Sequence, residues 1–232
     1  MRKNRFLETP NVFLDASIFE EQNFFHGTKV HSIAFYANRG VINLYMTALS
    51  KMELKDRIQK KTAICRSELK SLERKYNDLD IRFIKNLNIY KKRQILKLGY
   101  DEEMEIYNKL ESFIDRAKVR TITTHGFPLM EVFQSYYSSA PPFGKGKKKH
   151  EFIDAFIIKT LESWCIRHDQ KMYVLSKDPD FLSYNSDQLI ISKDLGELLG
   201  KVSDYHNLRF KLRKSRSIKE YMVILPNIRT TG

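Results

Sequence analysis

VFLDAS, Val12–Ser17, is the stretch on which the fold turns. Val12, Phe13 and Leu14 form a short apolar run that stops abruptly at the carboxylate of Asp15, and Ala16 and Ser17 follow. A strand buried on both faces reads as a short continuous apolar run, and strands of an open parallel sheet deliver polar groups at their carboxyl ends. The same pattern recurs at MYVLS, Met172–Ser176, which closes on Lys177 and Asp178. VINLYMTAL, Val41–Leu49, reads as a further strand, and Arg120–Thr123 and Leu189–Ser192 as shorter ones. Helices are expected over Ser32–Asn38, from Ser50 to about Lys75, over Pro128–Tyr137, over Glu151–His168 and over Asp194–Asp204. Ser50, with Glu53 three positions on, matches the S-x-x-E capping box. Strands that alternate with helices imply a parallel sheet covered by helices on both faces. About 55–135 reads as a mostly helical insertion or subdomain within that plan, and 205–232 as a basic C-terminal extension. In that extension RFKLRKSRSIK, Arg209–Lys219, precedes the strand-like YMVILP.

The 232 residues suffice for one large domain, or for one domain with a helical addition, and 42% hydrophobic side chains provide for a packed core. Charge is lopsided, with 41 Lys and Arg against 28 Asp and Glu and a net +13. A chain this basic points to an anionic polymer, of which nucleic acid is the commonest. A membrane partner is not expected. No lysine-rich amphipathic helix has a continuous apolar face, and no apolar run approaches the roughly 18–20 residues of a span. Glu8, Pro10 and Asp15 interrupt any signal-peptide core, so the chain reads as cytosolic. Cys65 and Cys165 cannot build a disulfide framework or a cysteine zinc site, and each is expected as a small buried residue on a helix.

The acids follow from the strands. Asp15 and Asp178 stand at strand ends, with Asp180 two residues on. Glu53, and Glu151 with Asp154, fall in the first turns of helices. Each has a plain alternative. Asp15 reads equally as an N-cap, Glu53 as the capping-box glutamate, and Glu151 and Asp154 as complements to a helix dipole. SKDPDF reads equally as a turn. Their joint placement favours the chemical reading, because carboxylates converging on one sheet edge repel one another unless a cation joins them. Oxygen-only ligands favour Mg²⁺ or Mn²⁺.

Four segments, FLDAS (13–17), SKMEL (50–54), PPFGKGKKKHEFIDAF (141–156) and YVLSKDPDF (173–181), stand in the order of the PIN-domain nucleases. They resemble PIN-like bacterial proteins with a PPFG, EFxDA and VxSxDxDF signature. The resemblance implies a Rossmann-like three-layer α/β/α fold spanning about 1–204, a Mg²⁺ or Mn²⁺ site, and ribonuclease activity toward single-stranded or structured RNA. It implies catalytic roles for Asp15, Glu53, Asp154 and Asp178, with Asp180 and Glu151 as supporting acids at the metal. Ser176 would then orient a ligand or a phosphate. The sequence departs from the family at Glu53, which follows ALSKM rather than an apolar strand with a proline or valine.

Lys145, Lys147, Lys148 and Lys149 lie with Gly144 and Gly146 in a loop beside these acids, suited either to a nucleic-acid backbone or to plain solvation. Tyr136 and Tyr137 precede the loop and suit base stacking or packing. Single-stranded DNA stays open as a substrate, as does a non-catalytic binding module on a degenerate core. A toxin, a phage-defence effector or an RNA-processing enzyme, with an oligomer or a regulatory partner, all accord with the resemblance.

Overall fold

The computed structural model describes residues 6–78, 101–123, 127–141, 143 and 151–214. Their framework is a five-stranded parallel sheet in the order β3-β2-β1-β4-β5. The strands are β1 (Asn11–Leu14), β2 (Asn43–Thr47), β3 (Arg120–Ile122), β4 (Met172–Leu175) and β5 (Leu189–Ser192). β1 is central because its four residues are apolar or hydrogen-bonded on both faces and all are buried. Val12 faces Leu44 of β2 on one side and Tyr173 of β4 on the other.

The side-chain period of two divides the core between the faces. Val12, Leu14, Leu44, Met46, Tyr173 and Leu175 enter one apolar cluster, while Phe13, Tyr45, Met172 and Val174 enter another. Helices α1 (Ala16–Glu21), α2 (Thr28–Asn38), the start of α3 (Ala48–Asp78), α4 (Asp101–Arg116) and α8 (Leu195–Lys214) cover the first face. There Phe19, Phe25 and Phe113 pack ring against ring at 5.4–6.0 Å. The second face is covered by α6 (Glu151–Arg167), through Ile157, Ile158, Leu161 and Cys165, and by Phe181 of α7 (Pro179–Ser183). α5 (Leu129–Ser138) packs on α6 around Val132, Phe143 and Ala155. The result is the three-layer α/β/α architecture. Within 55–135, Leu110 and Phe113 of α4 and Ile122 of β3 all contribute to the central core.

Three local expectations change. The second strand ends at Thr47, and α3 begins at Ala48 rather than Ser50. Thr47 Oγ1 accepts the Ser50 N–H at 3.0 Å, and Ser50 Oγ accepts the Thr47 N–H at 2.9 Å. This is a reciprocal capping box one turn earlier than S-x-x-E suggests, so Glu53 has no capping duty. The last helix runs ten residues past Asp204, to Lys214. It is held against α2 by His206 on Tyr36 at 5.6 Å and by Arg209 Nη1 donating to Gly40 O at 3.1 Å. Cys165 is buried as expected, but Cys65 is exposed, because it lies on α3 beyond Ile58, the last residue of that helix in the core. YMVILP lies outside the described residues.

Candidate active site

In the order β3-β2-β1-β4-β5 the chain builds outward from β1 in one direction and then returns to build outward in the other. The crevice beyond the carboxyl ends of β1 and β4 is the point where an open α/β sheet offers a site. Asp15 caps α1 there and Asp178 caps α7. The plain reading of Asp15 as an N-cap therefore holds beside its place at the crevice, whereas SKDPDF, read as a turn, opens a helix that Asp178 caps. Pro179 at the first helical position makes SKDPDF a helix start.

Hydrogen bonds join the two loops. Asp15 is 2% exposed, and its Oδ2 accepts from the Ser17 N–H at 3.1 Å, from Ser17 Oγ, and from Ser176 Oγ at 3.0 Å. Oδ1 takes none of these bonds. Ser176 Oγ in turn accepts the Asp178 N–H at 3.0 Å, and Asp178 Oδ1 accepts the Asp180 N–H at 2.8 Å. Ser17 Oγ accepts the Lys177 N–H at 3.0 Å. Ser176, expected to orient a ligand, orients Asp15. Ser17 shares that task and was not singled out from the sequence, although a hydroxyl two residues after a capping aspartate was the available signal.

Glu53 reaches the crevice from α3. Its Oε1 accepts from Arg57 Nε at 2.9 Å and from Arg57 Nη2 at 2.8 Å. Its Oε2 is buried and meets no donor among the described residues. Arg57 Nη1 continues to Glu20 Oε2 at 2.7 Å, and Lys61 also pairs with Glu20, so α3 is tied to α1 beside Asp15. Arg57 was missed at the level of sequence, although Glu at i with Arg at i+4 on a helix signals it.

Asp154, on α6, has no hydrogen-bond or ion-pair partner among the described residues. Burial raises its carboxyl first, then the charges of Glu53, Asp178 and Asp15, and against the pull of Arg57 it is pushed up to about 8. Glu53 is likewise raised, by burial and by Asp15 and Asp178, with Arg57 opposing. Burial works against ionisation of Glu20, yet Arg57 and Lys61 hold it below its ordinary value. Asp15, Glu53, Asp154 and Asp178 thus share one electrostatic field. Asp180 sits in the first turn of α7, next to Asp178. Lys145, Lys147, Lys148 and Lys149 lie outside the described residues, as does the side chain of Glu151. Tyr136 packs on Phe143 and Phe152, whereas Tyr137 is 82% exposed.

A family model for the PIN domain matches residues 12–181, and the chain belongs to the PIN-domain family. No curated protein and no solved structure matches it significantly. PIN domains are a nuclease-type fold, bind nucleic acid and generally use divalent metals. The donor set fits such a metal. It is carboxylate oxygen throughout, it includes an orphaned buried oxygen on Glu53, and it consists of acids that repel one another. Among the described residues no three His, Cys, Asp or Glu side chains stand in ready ligand geometry. Among the described residues no helix is long and apolar enough to cross a membrane.

Proposed function

We propose that the protein is a metal-dependent nuclease that hydrolyses phosphodiester bonds in RNA, with Mg²⁺ or Mn²⁺ held by Asp15, Glu53, Asp154 and Asp178 and supported by Asp180 and Glu151. The observation that carries this reading is the orphaned, buried Glu53 Oε2 in the same field as three other carboxylates. A structural role leaves that atom without a partner, whereas a cation supplies one.

A divalent cation bound by these acids supplies positive charge for the phosphate oxygens of the transition state. The remaining work falls to the chain. Ser17 and Ser176 hold Asp15 through Oδ2, and Oδ1 takes no part in those bonds. Arg57 fixes Glu53 through Oε1, and the α7 cap fixes Asp178. Hydrolysis forms a bond from water oxygen to phosphorus and breaks the bond to one ester oxygen. The proton leaving water passes to a base of the cluster, and the departing oxygen takes one up.

The test is incubation of wild type and Asp154→Asn with labelled RNA and DNA, single- and double-stranded, in Mn²⁺ or EDTA. The expected result is cleavage of single-stranded RNA in Mn²⁺, lost in EDTA and reduced at least a hundredfold by the substitution. Equal cleavage by both proteins would overturn the site, and preferential cutting of DNA would overturn the substrate.

A further inference from the structure

We propose that Lys177 contacts a backbone phosphate of the bound nucleic acid at the rim of the carboxylate cluster, and that Glu21 competes with that phosphate for the lysine. The proposal rests on the nuclease reading and adds to it the residue that receives the polyanion.

The backbone of Lys177 is fixed within the site. Its N–H donates to Ser17 Oγ at 3.0 Å, the same hydroxyl that donates to Asp15, and its neighbours in sequence are Ser176 and Asp178. Its side chain is not fixed in the same way. Nζ meets Glu21 Oε1 at 3.0 Å, with the two side chains 38% and 41% exposed, and an ion pair that open to water contributes little. The cations reaching from α3 are more committed. Arg57 is shared between Glu53 and Glu20, and Lys61 joins it on Glu20. Glu21 meets no cation but Lys177 among the described residues.

A phosphodiester approaching Asp15 and Asp178 meets like charge, so a cation must stand at the point of entry. Lysine serves phosphates as a point charge on a flexible stem, which suits exchange of one anionic partner for another. Release of Lys177 from Glu21 therefore accompanies binding, and Glu21 weakens binding through Lys177.

Binding is measured in EDTA, where no cleavage occurs, by fluorescence anisotropy with labelled oligo(U) and oligo(dT) across a salt series. Lys177→Gln should weaken binding about three- to tenfold and reduce the slope of log K against log salt by about 0.7, the share of one phosphate contact on a single strand. Glu21→Gln should strengthen binding about two- to threefold, and that gain should vanish in the Lys177→Gln background. Lys171→Gln, at an exposed position just before β4 and so at the opposite edge of the sheet, serves as the control and should change neither quantity. Melting temperatures confirm that each variant is folded. An unchanged salt slope in Lys177→Gln would overturn the proposal, and so would a Glu21→Gln gain that persists without Lys177, because it would reflect net charge alone. Wild type that binds neither oligonucleotide in EDTA and cleaves neither in Mn²⁺ would overturn the nuclease reading itself. Binding that ignores Lys177, in a protein whose cleavage still depends on Asp154, would remove only this proposal. Equal effects with oligo(U) and oligo(dT) assign the contact to phosphate, and an effect confined to oligo(U) would overturn a contact made to phosphate alone.

Discussion

Among the described carboxylates, Asp154 is the one whose environment most disfavours its charge. A carboxyl with a folded-state value near 8 binds a proton that the unfolded chain, in the ordinary carboxylate range, has already lost. The stability this group contributes is complete below the unfolded value and is lost as pH rises toward about 8. Glu53 acts in the same direction. In EDTA the wild type should therefore melt several degrees lower at pH 8 than at pH 5, and Asp154→Asn should flatten most of that difference. Thermal melts of both proteins across the window check it, and parallel slopes would show that Asp154 is not under strain. Added Mn²⁺ should restore more stability at pH 8 than at pH 5, because the ionised cluster is what it binds. At this scale the sequence was readable wherever an acid ended an apolar run, as at Asp15 and Asp178. It was less readable at Glu53, where a cap competed for the same residue, and it was silent on the pairing of Arg57 with Glu20, which is set only when α1 meets α3.

The start of α3 shows how elements resolve what residues leave ambiguous. TALSKME contains both T-x-x-S and S-x-x-E, and local preference does not separate them. The sheet does. Thr47 pairs with Ile122 of β3, so β2 extends to Thr47 and the helix must open at the next residue. Thr47→Ala should cost about 1–2 kcal/mol, the range for loss of a capping side chain. Denaturant unfolding in EDTA measures it. Glu53→Gln should show no loss of this kind, and a Thr47→Ala variant as stable as wild type would return the cap to Ser50. The outer part of α3 has a similar lesson. Beyond Ile58, Ile64 and Leu72 are 55% and 61% exposed, so burial of that helix is set by what packs against it and not by its own pattern.

For the whole molecule, the sheet is held by two apolar layers, and α6 spans the second one from Ile157 to Cys165. Leu161 is fully buried there, on the same helix that carries Asp154. Leu161→Ala should lower stability by about 2–5 kcal/mol, as expected for a large-to-small change in a packed core. Urea denaturation checks it, and a loss under about 1 kcal/mol would mean that this layer is loosely packed. The alternation of strand and helix, the apolar runs that end in acids, and the net charge of +13 were all determined by the sequence itself, because each depends only on residue type and local spacing. The strand order and the serine bridge from Asp15 to Asp178 were decided by the tertiary structure. They depend on which strands become neighbours and in what register, and contacts between residues more than a hundred positions apart leave no mark in local pattern.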